Sequence, residues 1–132
     1  MIATTEWKKQ MIFEGRSESG HAIRFDSGPQ HVSGPSPMEA VLTALCGCTS
    51  VDVVNILQKK REPIEGLKVT AKAEQAHEPP RVFTNIHLTY RIRGRVTPKA
   101  ASDAVLLSKN KYCSVSKMLE HSVGIDYSIE YE

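Results

Sequence analysis

One stretch of the chain, residues 36–54, constrains the fold more than any other, because it predicts a long helix with no polar, solvent-exposed face. No charged residue occurs from Ala40 to Val51. In front of that run, Ser36-Pro37-Met38-Glu39 carries the S-x-x-E capping box with proline at the first helical position. Apolar and small side chains surround such a helix, which is typical of one packed on all sides. Pro63 cannot continue it, so we predict a central buried helix from Pro37 to about Lys60.

Charge and composition exclude several classes of partner. Asp52 interrupts the apolar run, which makes the helix too short for a membrane span of about 20 apolar residues. The net charge of +2 comes from interspersed signs and forms no basic stripe for nucleic acid. Residues 1–9 lack the basic and then apolar pattern of a signal peptide. We therefore expect a cytoplasmic protein that binds neither nucleic acid nor membrane.

The remaining sequence predicts a mixed α+β domain. With 132 residues the chain suits one domain, over residues 1–132, with a single core. Alternating apolar and polar residues predict two strands before the helix, a hairpin after it and a final strand, whereas two short helices are expected between the hairpin and that strand. The predicted order is ββ-α-ββ-αα-β. The second short helix should hold Cys113 in its first turn.

Three cysteines in a reducing compartment do not form a disulfide framework, so thiol chemistry, metal binding or inert burial remain. Cys46 and Cys48 are about 200° apart around a helix, so at most one of them can face a given site. The five histidines show none of the paired spacings of zinc motifs. We predict no metal site.

Two of the thiols are candidates for redox chemistry. Cys48 alone is as well explained as a small buried hydrophobe. Cys113 lies beside Lys111 at a helix start, where the dipole and the cation favour a thiolate. A two-thiol peroxidase needs one thiolate to take the peroxide oxygen and a second thiol to resolve the sulfenic acid. The chain supplies one candidate for each role.

The motifs Ser36-Pro37-Met38-Glu39, Gly47-Cys48-Thr49 and Lys111-Tyr112-Cys113-Ser114-Val115 together resemble the OsmC-like family, which includes the organic hydroperoxide resistance proteins. The resemblance covers nearly the whole chain and is closest to a bacterial branch with no firmly assigned substrate. It implies an intertwined homodimer with two sites at the subunit interface, each built around a long central helix. Cys48 then matches the peroxidatic cysteine of the family and Cys113 its resolving cysteine.

Two further site residues follow from the resemblance, and each departs from the family pattern. The active-site acid of the hydroperoxidases directly follows the proline, where this chain has Met38; Glu39 comes one residue later, as a helix cap or as a participant in the site. Arg16 is the nearest match to the arginine that stabilises the thiolate. Arg24 is the alternative, and an ordinary solvated strand arginine explains either.

The sequence thus predicts a peroxidase that reduces organic hydroperoxides through a Cys48 sulfenic acid and a Cys48–Cys113 disulfide, without a cofactor. Arg16 would hold the thiolate and the peroxide, and Glu39 would orient the arginine. A dithiol, by resemblance of the lipoyl type, would regenerate the thiols. The alternative is a non-catalytic or redox-sensing dimer that binds a small apolar ligand.

Overall fold

A computed structural model describes all residues, Met1–Glu132, and confirms the mixed α+β class. A π-helical segment separates the second and third α-helices. The chain contains β1 (Ala3–Lys9), β2 (Ile12–Ser17), β3 (Ala22–Asp26), α1 (Pro37–Lys59), β4 (Ile64–Gln75), β5 (Phe83–Gly94), α2 (Pro98–Leu107), the π turn (Ser108–Tyr112), α3 (Ser114–Leu119) and β6 (Gly124–Tyr131). It divides into two compact units, Met1–Leu42 and Thr43–Glu132. That residues 1–132 form one domain stays a prediction.

The first unit contains an antiparallel sheet of three strands in the order β1-β2-β3. Two strands were predicted before the helix, and that count is wrong by one. The chain turns at Gln10, whose φ of 48° is unusual for a residue other than glycine. Every residue of β1 is exposed, so its sequence lacks the alternation that marks a half-buried strand. The extra strand therefore gave no pattern by which it could be separated from β2.

The loop before α1 is organised by the carboxylate of Asp26. Its Oδ1 accepts the N–H of Gly28 at 2.8 Å, and its Oδ2 accepts the N–H of Ser33 at 3.0 Å. These backbone donors hold the pKa of Asp26 below its usual value. A single side chain at the end of β3 thereby fixes the turns that lead to the helix.

The start and end of α1 are as predicted, from Pro37 to Lys59. Glu39 N–H donates to Ser36 Oγ at 3.1 Å, and Ser36 N–H donates to Glu39 Oε1 at 2.9 Å. This reciprocal pair is the capping box predicted from the sequence. After the helix, Arg61 adopts a φ of 58°, the left-handed conformation that often ends a helix.

Burial of α1 differs from the prediction. Leu45, Thr49, Val53 and Leu57 form its buried face at four-residue spacing. On another face Val51 is 68% exposed. The expectation of a helix buried on all sides is therefore wrong for the single chain. By length and composition α1 is also apolar enough to cross a membrane, contrary to the estimate from the sequence, but core helices of soluble proteins meet the same criteria.

The second unit contains a three-stranded sheet in the order β4-β5-β6. Strands β4 and β5 pair antiparallel, with Val69 opposite Tyr90, and confirm the predicted hairpin. Strand β6 pairs parallel with β5, as a connection through helices permits. Alternate residues of β5 form the buried face of the sheet: Ile86, Leu88, Tyr90 and Ile92. Tyr90 is thus the largest polar-tipped side chain in this core.

The helical connection differs from the prediction in one detail that affects the site. Helix α2 begins after Thr97, whose Oγ1 accepts the N–H of Ala100 at 3.4 Å. A π turn follows it, and α3 begins only at Ser114. Cys113 is therefore the N-cap of α3, with extended backbone angles (φ −73°, ψ 103°), and not part of its first turn.

Candidate functional site

The site is built on the middle of α1 and on the π turn. Cys48 is half-buried on α1, directly before the buried Thr49. Asp52 is four residues after Cys48, so the two side chains lie one turn apart on the same side of the helix. The helix thereby presents a thiol, a hydroxyl and a carboxylate to the elements packed against it.

The π turn and the start of α3 hold Cys113. Cys113 N–H donates to the carbonyl of Ser108 at 2.8 Å, a bond from residue i to residue i−5. Its Sγ accepts the N–H of Ser116 at 3.4 Å and so caps α3. The residue has no exposed surface. Two backbone interactions therefore fix both the main chain and the thiol of Cys113.

The side chains of Cys48 and Cys113 are close enough to interact directly. Burial raises the pKa of Cys113 to about 12, although the N–H of Ser116 acts in the opposite direction. The neighbouring Cys48 and the charge of Asp52 raise it further. The pair thus joins a half-buried thiol to a buried thiol that stays protonated at neutral pH. The expectation that Lys111 and the helix dipole favour a Cys113 thiolate is therefore wrong, because burial dominates.

A chain of buried hydroxyls runs beside this pair. Ser108 Oγ donates to Asp52 Oδ2 at 2.8 Å, so the single proton of that hydroxyl is committed to the carboxylate. Thr49 Oγ1 lies 2.7 Å from Ser108 Oγ and 2.7 Å from Tyr90 Oη. Thr49 must then donate to Ser108, and Tyr90 must donate to Thr49. Burial raises the pKa of Tyr90 to about 12, which keeps its donor proton in place.

Cys46 takes no part in the thiol pair. Burial raises the pKa of Cys46, and the backbone of Ala71 on β4 acts in the opposite direction. The expectation that Cys46 and Cys48 cannot share one site agrees with these separate environments.

The other predicted site residues belong to the first unit. Arg16 Nη2 lies 3.0 Å from Glu14 Oε1, and Arg24 lies opposite Glu14 in the register of β2 and β3. Glu39 makes the capping box, and its Oε1 lies 3.8 Å from His31 Nε2. The N–H of Ser36 holds the pKa of Glu39 below its usual value. Each of these charged side chains has a polar neighbour within its own unit.

Four residues of the site were not predicted: Thr49, Asp52, Tyr90 and Ser108. Asp52 had a visible signal, because it is the only charge in the middle of an apolar helix and lies one turn from Cys48. Thr49, Tyr90 and Ser108 come from three separate elements, so no local spacing indicates that their hydroxyls meet.

A cleft of about 340 Å³ lies over the end of this chain of hydroxyls. Asp52, Ile56, Leu107 and Tyr112 line it together with Lys59 and Lys60. The carboxylate that holds Ser108 therefore faces open space on its other side. No group of three or more histidine, cysteine, aspartate or glutamate side chains could hold a metal ion.

Comparison with known proteins gives a consistent family. A family model described as OsmC-like protein matches residues 28–128. Protein YhfA of Escherichia coli K12 is 45% identical over 131 residues, which cover 98% of this chain and 97% of YhfA.

Solved structures agree with this match. A hypothetical protein from Aquifex aeolicus VF5 is 30% identical, with a TM-score of 0.86, over 99% of this chain and 96% of that chain. A protein from Legionella pneumophila, described as an organic hydroperoxide resistance protein and predicted redox protein, has a TM-score of 0.74 at 15% identity. The match covers 98% of this chain and 95% of the Legionella protein, and at 15% identity it shows the fold alone.

Proposed function

Because the chain belongs to the OsmC-like family, we propose that it is a thiol peroxidase that reduces organic hydroperoxides through Cys48 and Cys113. The direct interaction between the side chains of Cys48 and Cys113 is the observation that carries the proposal. Members of the same fold include a protein described as an organic hydroperoxide resistance protein. We also propose a cytoplasmic location for this protein.

The proposed reaction begins at the half-exposed thiol. The Cys48 thiolate attacks the outer oxygen of the hydroperoxide, the O–O bond breaks, and the alcohol leaves after taking a proton. Cys48 becomes a sulfenic acid and the peroxide is reduced. The Cys113 sulfur then attacks the Cys48 sulfur, a disulfide forms and water leaves. An external dithiol, which we propose is of the lipoyl type, reduces the disulfide and is itself oxidised to a cyclic disulfide.

The burial of the two thiols suits this order of events. Cys48 is the more exposed of the two, so it is the one that a peroxide reaches. Cys113 is fully buried with a raised pKa, which keeps it a thiol while Cys48 reacts. The two side chains already interact, which favours formation of a disulfide bond of about 2.05 Å between their sulfurs.

Two further residues complete the proposal. Arg16 stabilises the Cys48 thiolate, and Glu39 orients the Arg16 side chain. The support for both is their match to the family motifs. Each has a neighbour in its own unit, Glu14 for Arg16 and Ser36 for Glu39, so each would exchange or share that contact in the active protein.

We also propose that the chain works as a homodimer. The exposed face of α1 carries Ala44, Gly47 and Val51, which are small or apolar and lie at helical spacing. A face of this kind is unusual on the surface of a soluble monomer and suits close packing against a second copy.

A second candidate function is that of a small-ligand-binding dimer whose thiols sense redox state. The ion pair of Arg16 with Glu14 and the use of Glu39 as a helix cap favour it, because both groups are then occupied with structural contacts. In that case an apolar ligand would bind and the thiols would consume no peroxide.

The proposal is tested by single-turnover consumption of cumene hydroperoxide and hydrogen peroxide by the reduced protein. Cys48→Ser should abolish consumption, whereas Cys46→Ser, a matched change on the same helix, should leave it intact. Cys113→Ser should still react once and accumulate a sulfenic acid that dimedone traps. Consumption that survives Cys48→Ser, or no consumption by the native protein, would refute the peroxidase. Retention of an apolar ligand in native mass spectrometry would then favour the second function.

A further inference from the structure

Asp52 is connected to Cys113 through Ser108, which hydrogen-bonds to both residues. We propose that Asp52 is a positioning residue that, through the Ser108 hydroxyl, holds the π turn and keeps the Cys113 sulfur against Cys48. The inference rests on the proposed pairing of the two thiols, and it assigns a task to a carboxylate that the peroxidase chemistry above does not use.

The first step of the argument is the contact between Asp52 and Ser108. Ser108 is fully buried, and its hydroxyl donates to Asp52 Oδ2 at 2.8 Å. A hydrogen bond to a charged group is stronger than one between neutral groups. Asp52 is fixed on the long, regular helix α1, so it anchors Ser108 to the same helix that carries Cys48.

The second step links Ser108 to Cys113. Ser108 opens the π turn, and its carbonyl accepts the N–H of Cys113 at 2.8 Å. One residue thus contacts Asp52 with its side chain and Cys113 with its backbone. Single π turns lack the regular bonding of an α-helix and are frequent at functional sites. Here the Ser108 hydroxyl connects the turn to α1, because both of its hydrogen-bond partners, Asp52 and Thr49, lie on that helix.

The third step concerns what this arrangement does chemically. The stability of a disulfide relative to an external dithiol depends on how well the second sulfur is held near the first, because a sulfur held in the bonding geometry has a higher effective concentration. Asp52 and Cys48 lie one turn apart on α1, so the carboxylate fixes the position of Cys113 relative to its reaction partner. The groups that influence Cys113 electrostatically are Cys48 and Asp52, and Tyr90 is also close enough to interact with it.

The position of Asp52 allows charge and hydrogen bonding to be separated. Asp52→Asn keeps an oxygen that accepts the Ser108 proton but removes the charge, whereas Asp52→Ala removes both. Asp103→Ala on α2 is the matched control, because it removes an aspartate whose partners are the exposed Lys99 and the nearby Lys60. All of these proteins also carry Cys46→Ser, so that Cys48 and Cys113 are the only cysteines that can form a disulfide.

The experiment measures the equilibrium between the Cys48–Cys113 disulfide and dithiothreitol at neutral pH, where the buried Cys113 thiol is protonated. An azodicarboxamide forms the disulfide without peroxide: the two thiols lose two electrons and two protons, and the azo compound becomes a hydrazine. We expect Asp52→Ala and Ser108→Ala to lower the equilibrium constant for disulfide formation by roughly tenfold or more. Asp52→Asn should restore most of that loss, and Asp103→Ala should have no effect. Circular dichroism verifies that each variant is folded.

Several results would overturn the inference. One is an Asp52→Ala protein with the native equilibrium constant; another is an equal loss in Asp52→Ala and Asp52→Asn, which would mean that only the charge matters. A loss in Ser108→Ala alone would show that Ser108 acts without Asp52. If the native protein forms no disulfide with the azo oxidant, the inference and the proposed function both fail. If it forms the disulfide but consumes no hydroperoxide, only the proposed function fails.

Discussion

The side chain of Cys113 interacts with that of Cys48 while its sulfur caps helix α3 through the N–H of Ser116. One buried thiol therefore has two tasks, one in the candidate chemistry and one in the local fold. Because a disulfide would remove the Cys113 proton and change the acceptor strength of its sulfur, oxidation must alter the cap. The start of α3 is thus the part of this unit most directly coupled to the redox state of the pair.

The proposed role of Arg16 predicts a loss of peroxidase rate on removal of its charge. Arg16→Gln should slow consumption of cumene hydroperoxide by roughly 10²-fold, as removal of one electrostatic donor does in other active sites. Arg91→Gln, which removes an exposed arginine paired with Glu130, is the control. Stopped-flow measurement of the thiol reaction provides the rates. If Arg24→Gln slows the reaction and Arg16→Gln does not, the assignment of Arg16 is wrong.

The exposed face of α1 predicts that a charge at Val51 weakens self-association. Val51→Lys should convert the dimer to monomer in sedimentation equilibrium, because a lysine ammonium cannot be buried unpaired between two helices. Val82→Lys changes a valine that is 52% exposed directly before β5 and should leave the dimer intact. A native protein that sediments as a monomer would contradict the proposed assembly.

The chain of hydroxyls predicts a loss of stability that is not additive. Thr49→Val leaves the buried Tyr90 hydroxyl without its acceptor, so the free energy of unfolding should fall by about 1–3 kcal/mol. Tyr90→Phe should cost about 1 kcal/mol. The double variant should lose less than the sum, because it leaves no unpaired tyrosine hydroxyl. Urea unfolding measures all three values, and strict additivity would argue against a direct bond between the two hydroxyls.

The depressed pKa of Asp26 predicts an acid-sensitive loop. The folded-state pKa lies below the unfolded value of about 3.9, so the stabilisation is present above that pH and is lost as pH falls through the folded value. As pH falls below the folded-state pKa of Asp26, residues 27–35 should therefore become accessible to an acid-active protease such as pepsin. Asp26→Asn should show the same accessibility at higher pH, because its amide cannot accept the N–H bonds of both Gly28 and Ser33. Equal protection of the native and variant loops at every pH would refute this role.

Local signals in the sequence accounted for much of the fold. The capping box at Ser36 and the apolar run after it predicted α1 to within a residue at its end, and alternation predicted the β4–β5 hairpin. Strand β1 was missed because a strand exposed on both faces has no period, and burial of α1 was overestimated because its exposed face is as apolar as its buried one.

The candidate site was predictable only in part, and for a physical reason. Cys48 and Cys113 were identified by their motifs, and the structure brings their thiols together. Thr49, Tyr90 and Ser108 meet through the packing of a helix, a strand and a π turn. No periodicity along the chain encodes such a non-local contact.

The most direct test of the peroxidase is mass spectrometry of the reduced protein after one equivalent of cumene hydroperoxide, with peptides prepared without reductant. We predict a peptide pair joined by a Cys48–Cys113 disulfide, with Cys46 still reduced. Free Cys48 and Cys113 thiols together with unconsumed hydroperoxide would contradict the proposal and leave a fold that keeps the thiol pair without the peroxidase.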